Sequence, residues 1–289
     1  MKALPLAPVK LLQNSNFSLF GIAVGLTAIH LILTWKVNAN IDRLIISVLF
    51  WGAILCLLQR KRDIVNLESG IFSSFFGLLL IVLVLFKSIS LFWFESSFLK
   101  LAPLLLALGL GLLASGIKGL NQYWRELLLV LLLCLPEGPI NQIEELFSVT
   151  TLTAKFASFV FWYLGFDVSN HGAMIYLPNG SVLVGTPCTG TSTALLLLKL
   201  SCLFILLFST NWIKKILVLI GSVLIAFVIS GIRVILLAAL VSNHKAFVYW
   251  HGPVGNQMFS TISILVFGLF CHFLLQSDEL ASPDSIKLQ

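Results

Sequence analysis

Residues 216–241 read ILVLIGSVLIAFVISGIRVILLAALV, an apolar stretch of 26 residues that contains a single charge, at Arg233. About 20 consecutive apolar residues are needed for a helix to cross a bilayer, so this stretch predicts a membrane span. The whole chain agrees, because 58% of its 289 residues are hydrophobic and only 10% are charged, against roughly 25% charged residues in a soluble domain. The sequence therefore predicts an integral membrane protein.

Other apolar stretches extend this pattern along the chain. Together they predict an all-α membrane protein, a polytopic bundle of about eight transmembrane helices in a single membrane domain over 1–289. Within it we expect N-terminal spans in 11–126, a half that carries the reactive residues in 127–276, and a mobile cytoplasmic tail in 277–289. The eight expected spans are Phe17 to Trp35, Leu44 to Leu58, Ile71 to Phe92, Leu99 to Ile117, Glu126 to Leu135, Thr191 to Phe208, Ile216 to Val241 and Val254 to Leu275.

Lysine and arginine residues orient the predicted bundle, because they accumulate in the cytoplasmic loops of membrane proteins. Ten cations fall on one side, which is therefore the cytoplasmic side and holds both termini. The long segment 136–187 is then extracytoplasmic. The ten cations are Lys2, Lys10, Arg60, Lys61, Arg62, Lys118, Arg125, Lys214, Lys215 and Lys287, and the opposite side carries Lys36, Arg43, Lys100 and Lys245.

Residues 146–164 admit two interpretations, a further span or an amphipathic helix that lies in the membrane interface. Polar side chains recur at helical spacing from Ser148 to Ser158, which favours the interfacial helix. A further span would also place Cys188 and Arg233 on opposite sides of the membrane. We therefore expect an extracytoplasmic amphipathic helix, and the spanning alternative stays open.

A short β-hairpin is expected between that helix and the next span. Residues 173–177 and 181–185 have the composition of strands, and Pro178-Asn179-Gly180 separates them. Asn-Gly supplies the left-handed backbone positions that such a turn requires. The second strand then leads directly to Cys188.

Cys188 lies in Gly185-Thr186-Pro187-Cys188-Thr189-Gly190-Thr191 and is the one cysteine of five outside the expected spans. It precedes a span directly, and the positive end of a helix dipole favours the thiolate by lowering the pKa of a thiol. We interpret Cys188 as a candidate nucleophile, with the backbone N–H groups around Thr189 and Gly190 as donors to an oxyanion. The alternative is a thiol that merely packs as a small hydrophobic side chain.

Arg233 is the single charge of the stretch quoted first. A charge inside a membrane is costly unless it faces a polar cavity or a partner, which favours a functional role over a side chain that extends to the outer interface. We expect Ser230 and Gly231 to open the helix locally and to make room for a substrate carbonyl. Arg233 would polarise that carbonyl and stabilise the oxyanion.

His251 lies in Tyr249-Trp250-His251-Gly252-Pro253, just before the last span. A histidine whose pKa is near neutrality can take the proton of a thiol and give one to a leaving amine, so His251 is the candidate general acid and base. The alternative is an interfacial histidine that only hydrogen-bonds lipid or backbone. His244 and His171 are weaker candidates.

Other classes of function have little support. The remaining cysteines lack metal-ligand spacing, no phosphate-binding glycine loop is evident and the cations form no patch, so we expect no metal, no cofactor and no nucleic-acid partner. Two alternatives remain open. One is an intramembrane serine protease that uses Ser192 and His251, and the other is a small-solute transporter in which Arg233 binds an anion beside a helix break at Ser230 and Gly231.

The order cysteine, arginine, histidine gives the C-terminal half a resemblance to the exosortase and archaeosortase family of membrane transpeptidases. The family often has serine after the cysteine and asparagine three residues before the arginine, where this chain has Thr189 and Ser230. The resemblance covers about residues 127–275. Its pieces are Pro187-Cys188-Thr189-Gly190, Gly231-Ile232-Arg233, and Trp250-His251-Gly252-Pro253-Val254-Gly255-Asn256-Gln257, the last of which most resembles the cyanobacterial exosortases.

The resemblance implies a cysteine peptidase and transpeptidase of the plasma (inner) membrane, a multi-pass protein with its active site on the extracytoplasmic face. Its implied partners are membrane lipid and exported proteins that end in a Pro-Glu-Pro motif, a transmembrane helix and a basic tail. Cys188 would attack near that motif and pass the acyl group to an acceptor. Arg233 would stabilise the oxyanion and His251 would serve as general acid and base, with support from Thr189, Gly190 and Ser230.

Overall fold

The computed structural model describes residues 21, 23–25, 27–28, 30–32, 41–61, 64–65, 69–89, 96–135, 146–208 and 210–281. The described part is mostly helical. It divides into two compact units, Met1–Pro136 and Glu137–Gln289. Most of the predicted first span lies outside the described residues, as does the predicted tail beyond Ala281.

Within the described residues, three helical stretches are long and apolar enough to cross a membrane: Lys100–Cys134, Trp212–Ala239 and Pro253–Gln276. Shorter apolar helices accompany them, and these also coincide with predicted spans: Ala23–Ile32, Leu44–Arg60, Ile71–Lys87 and Thr191–Leu207. The helices support the prediction of an all-α membrane protein. The number of crossings, eight in the sequence analysis, stays a prediction.

The described helices of the N-terminal unit are α1 (Ile41–Arg60), α2 (Ile71–Ile89), α3 (Ser96–Gly119) and α4 (Trp124–Cys134). A single 3₁₀ turn, Leu120–Tyr123, joins α3 to α4. The fourth and fifth predicted spans therefore follow one another without an extended loop. Helix α3 departs from helical geometry near its C-terminal end, where Gly116 has φ 67° and ψ −176°.

An ion pair accounts for the acidic residue inside α4. Glu126 is 4% exposed, and the Lys61 ammonium nitrogen lies 2.8 Å from its Oε1 and 3.0 Å from its Oε2. Lys61 also donates a hydrogen bond to the Gln122 carbonyl at 2.9 Å. A buried carboxylate without a partner is strongly destabilising, so this pair is what makes Glu126 tolerable in an apolar stretch.

Two glycines allow α2 and α3 to touch backbone to backbone. A Cβ added at Gly77 would lie 2.6 Å from the Gly109 carbonyl oxygen, and one added at Gly109 would lie 2.9 Å from Ile81 Cγ1. Small residues at such positions let membrane helices approach closely. Close helix packing is therefore the structural reason for glycine at position 109.

The C-terminal unit contains five described helices longer than one turn and a small sheet. The helices are α5 (Val149–Tyr163), α6 (Thr191–Leu207), α7 (Trp212–Ala239), α8 (His244–His251) and α9 (Pro253–Ala281), and the strands are β1 (Ser169–His171), β2 (Met174–Leu177) and β3 (Gly180–Leu183). The first residues of the predicted tail, from 277 to Ala281, continue α9 as helix.

The sheet is antiparallel in the order β1-β2-β3. Leu177 pairs with Gly180 across the turn at Pro178 and Asn179, and Ile175 pairs with Val182. Strand β1 was not part of the predicted hairpin. It pairs with the edge of β2 that does not face β3. Beyond β3 the Val184 N–H still donates to the Ala173 carbonyl at 2.9 Å, which holds the chain in register until it turns towards Cys188.

Helix α5 has an inward face of small side chains. Ser158, one of the polar residues at helical spacing, is buried with Ala154 and Ala157, and large apolar side chains such as Phe159 and Trp162 are exposed. The inward face is the one with small side chains because α5 packs closely against α7. With 15 residues, α5 is about 22 Å long, shorter than the roughly 30 Å hydrocarbon core of a bilayer.

Replacing Gly77 by alanine should destabilise the N-terminal unit, since the new methyl group would meet backbone atoms of α3 that cannot rotate away. We expect a loss of about 1 to 3 kcal/mol, as for other overpacked contacts, seen as a lower midpoint of thermal unfolding in detergent. Gly52→Ala is the matched control, because nothing lies within 4 Å of a Cβ there. Equal midpoints for the two variants would contradict the helix contact.

Candidate functional site

The segment around Cys188 is a tight, internally bonded turn. Residues Thr186–Cys188 form a 3₁₀ turn in which the Cys188 N–H donates to the Gly185 carbonyl at 2.9 Å. Thr189 donates its hydroxyl proton to the Thr186 carbonyl at 2.8 Å and accepts from the Thr191 hydroxyl at 2.8 Å. The Thr189 hydroxyl is therefore occupied in shaping the turn that presents Cys188.

Gly190 connects this turn to α6, and no other residue fits there. Its φ of 74° is left-handed, and an added Cβ would overlap the side chain of Ser230 and lie 3.1 Å from the Ala226 carbonyl oxygen. Ser230, expected to support the oxyanion, thus packs against Gly190 and is 7% exposed. Helix α7 lies directly against the backbone of the cysteine turn.

The Cys188 thiol lies in an apolar cluster. It is 5% exposed and packs with Ala154, Ala157, Val234 and Leu237. Burial raises the pKa of the Cys188 thiol above its ordinary value of 9.0, and the nearby charge of Arg233 opposes that rise. The sequence expectation of a lowered pKa is therefore wrong for this structure, because burial outweighs the favourable charge.

Arg233 forms hydrogen bonds both to the cysteine turn and to the segment around His251. Its guanidinium group donates to the Pro187 carbonyl at 3.4 Å, to Asn256 Oδ1 at 2.9 Å and to the His251 carbonyl at 3.0 Å. The residue is 5% exposed, so it is a buried charge and does not extend to an interface. Its Nε atom is buried and has no partner among the described residues.

His251 is the last residue of α8. Its Nδ1 lies 3.9 Å from Cys188 Sγ, and its ring stacks on Phe247 with ring centres 5.5 Å apart. A sharp corner follows, since a Cβ at Gly255 would overlap the Trp250 carbonyl. This corner brings the first turn of α9 back against α8 and places Asn256 on Arg233.

The structure thus brings Cys188, Arg233 and His251 together, as the sequence analysis proposed, and it adds Asn256. Asn256 was missed because its partner is 23 residues earlier in the chain, and no local spacing reveals such a contact. The available signal was an asparagine one turn after Pro253, in the same short segment as His251.

Other candidate residues lie apart from this contact. His171 has its ring against Tyr176 at 5.8 Å, and Ser192 is exposed at the start of α6. In the described part of the chain, neither makes a hydrogen bond to Cys188 or His251. No cluster of three His, Cys, Asp or Glu side chains that could hold a metal ion occurs among those residues either.

Helix α7 runs without interruption from Trp212 to Ala239. The expected local opening at Ser230 and Gly231 is therefore wrong. Gly231 instead provides space for the ring of Phe156 from α5, which a Cβ at this position would overlap. The transporter alternative depended on a break in this helix, and the helix is continuous.

The comparisons with known proteins give one match. A family model described as transmembrane exosortase (Exosortase_EpsH) matches residues 35–268, which is most of the chain and includes every residue of the site. No curated protein and no solved structure matches the chain.

Gly190→Ala should disrupt the cysteine turn for two reasons, left-handed strain and overlap with Ser230. We expect it to cost about 1 to 3 kcal/mol more than Gly172→Ala, because Gly172 is also left-handed but has open space around its Cβ position. Thermal unfolding of the detergent-solubilised proteins measures the difference. If the two variants are equally stable, the close approach of α7 to Gly190 is incorrect.

The alkylation rate of Cys188 should rise with pH, since the thiolate is the reactive form. The midpoint should lie above 9.0, because burial raises the pKa of this thiol, and Arg233→Gln should move it higher by removing the opposing charge. Mass spectrometry of the Cys188 peptide after timed exposure to iodoacetamide measures the rate at each pH. A midpoint below that of an exposed cysteine would contradict the effect of burial on this thiol.

Proposed function

The chain belongs to the transmembrane exosortase family, and from this premise we propose that it is a membrane-embedded cysteine transpeptidase that processes exported proteins. The family is one of cysteine-type peptidases and transpeptidases. The observation that carries the proposal is the 3.9 Å contact between Cys188 Sγ and His251 Nδ1, beside the buried charge of Arg233. A nucleophile, a base and a cation in contact are the groups that acyl transfer requires.

The first step of the proposed reaction uses a thiol that is protonated at rest. His251 takes the Cys188 proton as Sγ attacks the carbonyl carbon of the scissile peptide bond, so a C–S bond forms and the carbonyl oxygen becomes an oxyanion. The contact of 3.9 Å must shorten for this transfer, as it does in many enzymes once substrate is bound. Collapse of the intermediate breaks the C–N bond, and the imidazolium gives its proton to the leaving amine.

The second step releases the acyl group from Cys188. An acceptor amine or water loses a proton to His251 and attacks the thioester, and the C–S bond breaks. The Cys188 thiolate then takes the proton back from the imidazolium. Water as acceptor gives hydrolysis, and an amine gives transpeptidation.

Arg233 is the proposed oxyanion stabiliser. Its Nε–H has no partner among the described residues and is buried, where an N–H donor is worth more than in water. The first turn of α6 adds backbone N–H groups that no side chain of the N-cap residue satisfies. Thr189, Gly190 and Ser230 support the oxyanion by shaping this end of α6.

The proposed substrate is an exported protein with a Pro-Glu-Pro motif, a transmembrane helix and a basic tail at its C terminus. We place the enzyme in the plasma (inner) membrane, with both termini cytoplasmic and Cys188 on the extracytoplasmic side. The same charge rule that orients the enzyme keeps the basic tail of the substrate in the cytoplasm. The motif of the substrate then emerges on the side of Cys188, with its helix in the bilayer beside the apolar helices of the enzyme.

Cys188→Ala should abolish processing of such a substrate, and Cys188→Ser should lower its rate by at least about a thousand-fold. Co-expression with a tagged protein that ends in the motif, the helix and the basic tail provides the assay. The mass of the product identifies the acceptor, and a trapped adduct on Cys188 identifies the nucleophile. Ser192→Ala is the matched control and should retain full activity.

Full processing by Cys188→Ala would reject the thiol mechanism. Loss of processing in Ser192→Ala alone would favour the alternative serine protease mechanism. If wild type fails to process the substrate, the proposed sorting signal is wrong, and the alkylation experiments above still report on the site.

A further inference from the structure

Asn256 is a polar side chain at the site that the proposed mechanism does not use. It lies in the first turn of α9, where its own N–H donates to the Gly252 carbonyl at 3.1 Å. Its Oδ1 accepts the shortest of the three hydrogen bonds of Arg233, at 2.9 Å. The contact joins α9 to α7.

The partners of Arg233 show why this one matters. Among the residues that the structure describes, Arg233 forms no ion pair, and its three acceptors are all neutral. Two of them are the backbone carbonyls of Pro187 and His251. Asn256 is the only acceptor that belongs to a side chain, and so the only one that a substitution can remove cleanly.

The two carbonyls lie next to, or within, the reacting residues. Pro187 precedes Cys188 directly, and the other carbonyl belongs to His251 itself. The orientation of the guanidinium group therefore fixes the position of the thiol relative to the imidazole. Without Asn256, Nη1 of Arg233 keeps only the weak contact with the Pro187 carbonyl at 3.4 Å.

We propose that Asn256 is a positioning residue, which holds the Arg233 guanidinium in the orientation that binds the carbonyls of Pro187 and His251 and so sets the contact between Cys188 and His251. The inference concerns the geometry of the site, and it rests on the proposed function only where processing is the readout. Asparagine suits the task because a neutral acceptor leaves the charge of Arg233 uncompensated. That charge opposes the rise in the pKa of the Cys188 thiol.

The test compares Asn256→Ala, Asn256→Asp and wild type in the full-length protein. We expect Asn256→Ala to lower kcat for processing on the order of 10-fold to 100-fold, the effect of a small misplacement of reacting groups, with KM little changed. Asn256→Asp should keep the bond to Arg233 and most of kcat at high pH. Its added negative charge should also move the pH midpoint of Cys188 alkylation upward.

Met258→Ala provides the matched control, because Met258 is exposed in the same turn of α9 and should behave as wild type. Wild-type kcat and an unchanged alkylation profile in Asn256→Ala would overturn the proposal. A lower yield of folded Asn256→Ala, with normal rates per folded molecule, would also overturn it and leave only a structural role. Asn256→Asp keeps the question open to measurement if the alanine variant does not fold.

Alkylation of Cys188 by iodoacetamide requires no sorting substrate. The role of Asn256 and the proposed processing function can therefore be rejected independently. If wild type processes nothing, but Asn256→Ala changes the alkylation profile and Met258→Ala does not, the proposed substrate is wrong and the role of Asn256 stands. If wild type processes its substrate and none of the Asn256 variants differs from it, the proposed function stands and the role of Asn256 is rejected.

Discussion

The buried guanidinium group of Arg233 is the constraint on which the C-terminal unit depends. Removing a charge from water is costly, and this cation has no carboxylate among the described residues to offset the cost. It is stabilised instead by neutral oxygen atoms from three separate places in the chain. The cysteine turn, the end of α8 and the start of α9 must therefore meet around one helix, and that meeting creates the site.

Such convergence needs close backbone approach, and glycine provides it at each contact. Gly190 lies under Ser230, Gly231 accepts the ring of Phe156, and Gly255 lies against the Trp250 carbonyl. At each of these positions a Cβ would meet neighbouring atoms at less than van der Waals distance. The packing of α7 therefore also sets the geometry of the candidate site.

The sequence could predict the elements of the site better than their environment. Local composition predicted the helices, the strands before Cys188 and the three candidate residues that the structure brings together, because apolar runs, turn residues and isolated charges are local signals. It failed for the pKa of Cys188, since burial by α5 and α7 is a tertiary effect. Gly231 was misinterpreted for the same reason, because it is explained by contact between those two helices.

A protonated, buried thiol also suits the proposed location of the site. Oxidation of cysteine proceeds through the thiolate and requires access, and both are limited when burial raises the pKa and leaves 5% of the residue exposed. The other four cysteines lie within helices, and all five are free thiols. On the proposed extracytoplasmic side, where thiols are readily oxidised, a thiol that stays protonated persists longer than a resting thiolate.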